Sequence, residues 1–278
     1  MADPVAHSMS PPMHNRAFAV RGLDMVYVPL HVKPKDLGAA VEAIRALNLV
    51  GVNVTIPHKV AIVPHLDTLS EHARFVGAVN TVVNRDGVLE GHNTDGAGFV
   101  RSLRKEAQFE PRGRRLLILG AGGAAQAIAV QLALEGASEL IIANRTFEKA
   151  VQLAELVERA GGRARAVAFN ELTAQVVAEC DAVVHTTSWG MAPESDVPPI
   201  IPAEMLHADL LVCDIVYTPR ETSLLRAARE RGCAVLPGLG MLVEQAALAF
   251  ELWTGVEAPV DAMRETLEQV LAERAEAK

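Results

Sequence analysis

Few features of this sequence suit a secreted, membrane-bound or nucleic-acid-binding protein. Its 278 residues include only three cysteines, and their wide spacing indicates reduced core thiols rather than disulfides or a zinc site. No apolar run approaches the roughly 18 residues that span a bilayer, and no basic flank with an apolar region opens the chain. The net charge is -8 and the basic residues are scattered, which argues against a nucleic-acid surface. We therefore expect a cytoplasmic protein that acts on small molecules.

The length and the pattern of apolar residues predict two domains. The chain exceeds the roughly 100 to 200 residues of a single domain. From Arg114 onward, helical patterns alternate with short apolar strands at 116–119, 140–143, 166–168, 182–184, 210–213 and 234–236. Continuous apolar strands are typical of a parallel sheet covered on both faces. This part of the chain predicts a doubly wound, Rossmann-type α/β domain.

The first hundred residues predict a second α/β domain of different construction. Strand-like segments at 26–28 and 52–55 alternate with a helical pattern at 35–47. The dipeptide Asp86-Gly87 between two apolar segments predicts a β-hairpin. Helical spacing over 241–253 and 260–272 predicts two closing helices, which could pack on either domain.

A glycine-rich segment predicts a dinucleotide site. Gly120-Ala121-Gly122-Gly123-Ala124 follows a predicted strand and opens a predicted helix, so a pyrophosphate could approach the backbone at the helix N-terminus. Sites that prefer NAD carry an acidic residue after the second strand, but here that strand ends in Asn144, Arg145 and Thr146, with Lys149 beyond. A guanidinium suits a 2′-phosphate, so we expect NADP(H) as the cofactor.

A lysine and a carboxylate follow two separate strand-like segments. Lys59 comes two residues after Pro57, which is favoured at the first position of a helix, so the dipole would disfavour a cation there. Such a break of a local rule often marks a functional position. Asp95 alone is more simply interpreted as a helix cap. Beside a nicotinamide cofactor, however, an amine and a carboxylate suit hydride transfer coupled to proton transfer.

Taken together, these motifs resemble those of the shikimate dehydrogenase family, two-domain NADP enzymes that interconvert 3-dehydroshikimate and shikimate. The resemblance covers nearly the whole chain. It depends on nine ordered segments, at residues 7–11, 53–59, 77–81, 93–95, 120–125, 144–146, 187–191, 214–219 and 238–245. It implies a reversible reduction of 3-dehydroshikimate with NADPH, a step of chorismate and aromatic amino acid biosynthesis.

The resemblance also implies a role for each site residue. Lys59 would transfer the proton and Asp95 would orient it, and both would contact the substrate. The other substrate contacts would be Ser8, Ser10, Asn53, Thr55, Asn80, Tyr217 and Gln245, with the serines on the carboxylate. The cofactor contacts would be Glu71, Gly120, Ala121, Gly122, Gly123, Ala124, Asn144, Arg145, Thr146, Lys149, Thr187, Ser188, Ile215, Gly238 and Met241. The substrate domain would comprise residues 1–97 and 240–278, around an NADP domain at 98–239.

The sequence departs from the family pattern at two places. Only Met1 and Ala2 precede Asp3, where family members carry a full strand, so either the natural start lies upstream or the first sheet has unpaired backbone groups. His185 stands where the family usually has asparagine.

The histidines at 7, 14, 58, 65, 72 and 92 have no metal-ligand spacing, so we expect no metal site and place them on the surface or behind the site.

Two other functions stay open. A quinate/shikimate dehydrogenase of broader specificity would share the chemistry, although a serine at position 10 favours shikimate. A noncatalytic nucleotide or quinate sensor would share the scaffold, although Lys59 and Asp95 are both present. We expect neither nucleic acid nor membrane as a partner, and a homodimer is one of the assemblies that the sequence allows.

Overall fold

The computed structural model describes residues 1–6 and 8–276, so His7 lies outside the described residues. The chain divides into two units. Unit 1 contains Met1–Thr94 and the chain from Val243 onward, and unit 2 contains Asp95–Leu242. The boundaries therefore follow residues 94 and 242, where the sequence had placed them after residues 97 and 239.

Unit 1 is a small mixed sheet covered by helices. Its helices are α1 (Ser10–Arg21), α2 (Leu37–Ala46), α3 (His58–Ala61) and α4 (Glu71–Val76), and its strands are β1 (Gly51–Asn53), β2 (Thr68–Leu69), β3 (Thr81–Arg85) and β4 (Val88–His92). The strand order is β1-β3-β4-β2, with β2 parallel to β4 and the other pairs antiparallel. Between β3 and β4, Asp86 and Gly87 have φ values of 53° and 91°, as a type I′ hairpin turn requires.

The first residues of the chain contribute to unit 1 through backbone hydrogen bonds. Ala2 N donates to Leu30 O over 3.3 Å, and Val32 N donates to Ala2 O over 3.1 Å. Thr55 N donates to Met1 O over 3.1 Å, so Met1 and Ala2 lie between two other segments. The strand predicted at 26–28 is wrong, since these residues are irregular and pairing is limited to a bridge between Ala2 and His31.

Unit 2 is a parallel sheet between two layers of helices, as predicted. Its strands are β5 (Arg115–Leu119), β6 (Glu139–Asn144), β7 (Ala164–Ala168), β8 (Ala182–His185), β9 (Leu211–Asp214) and β10 (Ala234–Pro237). Its helices are α5 (Asp95–Ala107), α6 (Gly123–Leu134), α7 (Phe147–Arg159), α8 (Ala174–Ala178) and α9 (Ser223–Glu230). The order β10-β9-β8-β5-β6-β7 is that of a Rossmann sheet. Successive strands are added on one side of β5 up to β7 and then, from β8 onward, on its other side.

Two closing helices complete the chain, as the periodicity predicted. Helix α10 (Leu239–Thr254) begins in unit 2 and ends in unit 1, and α11 (Val260–Glu276) packs on α1 within unit 1.

The three cysteines are buried free thiols, which confirms their interpretation as core residues. Burial raises the pKa of the Cys180 thiol to about 12, so it stays protonated and unreactive at neutral pH. Among the described helices, none is both long and apolar enough to cross a membrane.

Candidate active site

In unit 1, the predicted substrate residues lie where several strand ends are joined by backbone hydrogen bonds. Val54 N donates to Asn80 O over 2.8 Å, and Asn80 N donates to His92 O over 3.0 Å. Val79 N donates to Lys59 O over 2.8 Å. The chain segments that carry Asn53, Lys59, Asn80 and Thr94 are therefore held side by side by their main chains.

A chain of side-chain hydrogen bonds joins the same segments. Asn53 Nδ2 donates to Thr81 Oγ1 over 3.1 Å, and Thr81 Oγ1 donates to Asn80 Oδ1 over 2.9 Å. Asn80 Nδ2 donates to Thr94 Oγ1, and Thr94 N donates to Asn80 Oδ1, both over 2.9 Å. Asn80, Thr81 and Thr94 are buried. We call these four residues, Asn53, Asn80, Thr81 and Thr94, the amide network. Each amide has a fixed orientation because its own donors and acceptors are engaged.

Lys59 is the second residue of α3, which is a single turn of four residues. Lys59 lies in the first turn of a helix, as expected, although Pro57 is the N-cap and not the first helical residue, and one turn has little dipole to act on the lysine. The turn is anchored by buried His58, whose Nε2 lies 2.7 Å from Val32 O. His58 therefore holds the neighbour of Lys59 in place. From the sequence, His58 was expected either on the surface or behind the site, because a lone histidine has no periodic signal.

The predicted carboxylate-binding serines lie at the start of α1. Ser10 is the first helical residue, and its backbone N–H donates to Ser8 Oγ over 3.3 Å. Pro11 and Pro12 follow it and have no N–H to offer. Hydroxyl groups are therefore the main donors that this helix start can present to an anion.

The remaining predicted substrate residues are divided between the units. Thr55 is exposed after β1, and Gln245 is half-buried on the part of α10 that belongs to unit 1. Asp95 and Tyr217 belong to unit 2. Asp95 is buried at the first turn of α5. A Cβ on the following Gly96 would lie 2.8 Å from Gln131 Cβ, so close packing of α5 on α6 fixes where Asp95 stands.

The glycine segment of unit 2 forms an open cradle at the end of β5. Gly120 has a φ of 116°, and a Cβ there would lie 2.7 Å from Thr186 Oγ1. At exposed Gly122 and Gly123, a Cβ would meet no described atom within 4 Å. Gly122 is also the N-cap of α6, and no side chain in the described part of the chain caps that helix. Uncapped amides and an approachable backbone fit a pyrophosphate, so these residues suit a dinucleotide.

The residues expected to select NADP surround the end of β6 and the start of α7. Asn144 ends β6, and its Nδ2 donates to Thr146 O over 2.9 Å. Arg145, Thr146 and Lys149 are exposed. Thr146 is the N-cap of α7 but makes no capping bond to a described residue, so a second helix start can receive an anion. Two cations and this helix start fit a phosphate group.

A histidine and an aspartate are buried together at the ends of β8 and β9. His185 Nδ1 lies 3.0 Å from Asp214 Oδ1, and His185 Nε2 lies 2.6 Å from Thr187 Oγ1. Thr222 Oγ1 donates to Asp214 Oδ2 over 2.6 Å. The carboxylate favours a proton on Nδ1 and leaves Nε2 to accept the Thr187 hydroxyl. A Cβ on Gly120 would lie 2.8 Å from Thr187 Cγ2, so His185 positions a hydroxyl beside the glycine cradle.

The last predicted cofactor residues follow β8, β9 and β10. A Cβ on Gly238 would lie against the Ile215 carbonyl oxygen, so only a glycine lets these two backbone segments approach. Ser188 is exposed, and Met241 and Tyr217 are half-buried, all within unit 2. Glu71 is the exception, because it is exposed at the start of α4 in unit 1.

The fold and these sites define a class: a two-unit α/β oxidoreductase that uses a dinucleotide. Comparison with known proteins identifies the family. The profile described as "Shikimate dehydrogenase substrate binding domain" matches residues 1–82, "Shikimate / quinate 5-dehydrogenase" matches 103–220, and "Shikimate 5'-dehydrogenase C-terminal domain" matches 238–268. This chain belongs to the shikimate dehydrogenase family.

Individual relatives agree with this assignment over nearly their whole length. The chain is 49% identical to a shikimate dehydrogenase (NADP(+)) of Desulforamulus reducens, covering 97% of this chain and 93% of the relative. It is 45% identical to shikimate 5-dehydrogenase of Listeria monocytogenes, solved with shikimate and NAD, with a TM-score of 0.91 and coverage of 96% and 94%. It is 35% identical to quinate dehydrogenase of Corynebacterium glutamicum, solved with NAD, with a TM-score of 0.90 and coverage of 96% of each chain.

Proposed function

We propose that this chain is an NADP-dependent oxidoreductase that reduces 3-dehydroshikimate to shikimate, reversibly, in the pathway to chorismate and the aromatic amino acids. The observation that supports it most is the combination of the amide network with Lys59 on an anchored turn in unit 1. Neutral amides and hydroxyls suit a polyhydroxylated acid, because each substrate hydroxyl needs a partner once water is removed. The NADP(+) relative that matches 97% of this chain supports the cofactor.

The family resemblance supports the proposed roles. When bound, NADPH would supply the hydride for the ketone carbon. Lys59 Nζ donates a proton to the oxygen as negative charge develops there, and takes it back when shikimate is oxidised. Asp95 accepts a hydrogen bond from the reacting hydroxyl. Ser8 and Ser10 hold the substrate carboxylate.

The other proposed contacts orient the two ligands. Neutral partners for the ring hydroxyls are Asn53, Thr55, Asn80, Tyr217 and Gln245. The glycine cradle receives the pyrophosphate, and Arg145 with Lys149 receives the 2′-phosphate. Thr187, Ser188, Ile215, Gly238 and Met241 shape the nicotinamide end, and Glu71 contacts the cofactor from unit 1. We also propose a cytoplasmic location, with no nucleic-acid partner, for which the acidic net charge of -8 is the support.

A direct test is a panel of steady-state rates with two substrates and two cofactors. We expect kcat/KM to be highest for shikimate with NADP⁺, and lower when quinate replaces shikimate or NAD⁺ replaces NADP⁺. Binding of shikimate and NADP⁺ without any turnover would contradict the proposal and favour the sensor.

A second candidate is a dehydrogenase of broader specificity. The fold similarity to the Corynebacterium glutamicum quinate dehydrogenase supports it, since 96% of each chain superposes. The same panel separates the two candidates. Comparable kcat/KM values for quinate and shikimate would favour the broader enzyme.

A further inference from the structure

Tyr27 has a fixed position although it lies in irregular structure after α1. Its backbone N–H donates to Asn15 Oδ1 over 2.7 Å, and Asn15 Nδ2 donates back to Tyr27 O over 3.0 Å. Its ring is stacked on that of fully buried His14, with centroids 4.6 Å apart and planes 12° from parallel. The indole of Trp253 lies beside it, with centroids 6.0 Å apart. Both the main chain and the ring of Tyr27 are therefore held.

The hydroxyl of Tyr27 contacts a residue with a proposed substrate contact. Tyr27 Oη donates to Asn53 Oδ1 over 2.9 Å, and Asn53 belongs to the amide network. The phenol is thus joined to the amide network in unit 1.

The directions of these hydrogen bonds fix the orientation of Asn53. Its Nδ2 donates to Asn80 O over 3.2 Å and to Thr81 Oγ1 over 3.1 Å, which uses both amide protons inside the network. Its Oδ1 accepts from Tyr27 and has a second lone pair for a substrate hydroxyl. Burial raises the pKa of Tyr27 to about 12, so the phenol keeps its proton at neutral pH and this direction is kept.

We propose that Tyr27 is a positioning residue for the substrate: its hydroxyl sets the orientation of the Asn53 amide. This inference rests on the proposed function. Without the phenol proton, Asn53 Oδ1 loses the partner that aligns the amide. Substrate binding should therefore weaken, whereas hydride transfer and NADP⁺ binding should change little.

The test is Tyr27→Phe, which keeps the ring stacked on His14 and removes only the hydroxyl. One neutral hydrogen bond contributes a factor of about two to tenfold to an equilibrium. We expect KM for shikimate to rise about five- to tenfold, with kcat and KM for NADP⁺ within about twofold of the unmodified chain. Thr254→Val is a matched control, since it removes another hydroxyl of unit 1 that donates to Phe250 O over 2.8 Å. That control should leave KM for shikimate unchanged.

A double-mutant cycle separates positioning from a merely structural role. If Tyr27 acts through Asn53, Tyr27→Phe should raise KM much less in a chain that already carries Asn53→Ala. A rise of the same size in that background would overturn the inference, as would an unchanged KM in Tyr27→Phe alone. Urea unfolding of Tyr27→Phe should show a midpoint only slightly below that of the unmodified chain, because the packing is kept and one neutral hydrogen bond is lost.

The outcomes are distinguishable from failure of the proposed function. If the unmodified chain does not oxidise shikimate, the proposed function is wrong and KM cannot be measured. Calorimetric titration of shikimate into the unmodified chain and into Tyr27→Phe still tests the inference, which predicts weaker binding by the same factor. Equal dissociation constants would overturn it.

Discussion

The two units build their proposed binding sites from different groups. In unit 1 the proposed site is held by side-chain hydrogen bonds, since Asn53, Thr81 and Asn80 are linked by bonds of 2.9 to 3.1 Å. In unit 2 the backbone forms the proposed site, through the open Gly122 and the uncapped start of α6. Unit 1 should therefore be sensitive to the loss of one polar atom, and unit 2 to the addition of one methyl group.

The largest expected effect tests the chemistry in unit 1. Lys59→Ala removes the proposed proton donor, and general acid–base catalysis contributes roughly a factor of 10² to 10⁴. We expect kcat to fall by about that much, with KM for shikimate within a few-fold, since proton transfer occurs in the transition state. Steady-state kinetics checks this. Lys33→Ala, at an exposed lysine of unit 1, is the control and should keep normal turnover.

The next effect tests the charge on unit 2. Arg145→Ala removes a cation proposed to pair with the 2′-phosphate, and a charged hydrogen bond is worth about 1.5 to 3 kcal/mol. KM for NADP⁺ should rise about ten- to a hundredfold while KM for NAD⁺ stays constant. Arg163→Ala, at another exposed arginine of unit 2, should change neither value. An equal rise of KM for NADP⁺ and for NAD⁺ would show that Arg145 does not bind the 2′-phosphate.

A buried histidine should make unit 1 sensitive to acid. Burial lowers the pKa of His14 to about 3, and no described group hydrogen-bonds to either ring nitrogen. The unfolded chain binds this proton near pH 6.5 and the folded chain does not, so the free energy of unfolding should fall below pH 6.5. Between about pH 6.5 and pH 5 the loss is on the order of 2 kcal/mol.

Replacing the imidazole isolates its contribution. His14→Phe preserves an aromatic ring against Tyr27 and cannot take up a proton. Urea unfolding of both chains at two pH values should show a shallower acid dependence for the variant. If the two chains lose stability equally, His14 is not the group responsible.

The smallest expected effect tests the backbone character of unit 2. Gly122→Ala adds a methyl group where no described atom lies within 4 Å and where φ is an ordinary -85°. The unfolding free energy should change little, but a methyl in the path of the pyrophosphate should raise KM for NADP⁺ about tenfold. An unchanged KM would mean that the cofactor backbone does not pass over Gly122.

The sequence predicted unit 2 better than unit 1. Continuous apolar strands and a glycine segment after the first of them are local patterns, and they indicate both the Rossmann sheet and the cradle. In unit 1, the hairpin turn at Asp86-Gly87 was predicted for the same reason. The strand at 26–28 was not correct, because β-structure depends on a partner that periodicity does not show.

The polar contacts of unit 1 could not be read from local patterns. Thr81 and Thr94 join the amide network through residues that are distant in the chain. His14 and His58 were expected either on the surface or behind the site, and the sequence did not decide between these; the structure buries both. Whether a histidine or threonine is buried depends on tertiary packing, so the family resemblance was needed to indicate these segments at all.

The central claim is that Lys59 carries the proton in an NADP-dependent oxidation of shikimate, and a single-turnover experiment tests it most directly. The chain saturated with NADP⁺ is mixed rapidly with shikimate, and NADPH absorbance is followed for the unmodified chain and for Lys59→Ala. We predict fast NADPH formation by the unmodified chain. For the variant, we predict a rate constant of NADPH formation at least about a hundredfold lower, despite retained shikimate binding. Equal rate constants of NADPH formation for the two chains, or no NADPH from the unmodified chain, would contradict the account.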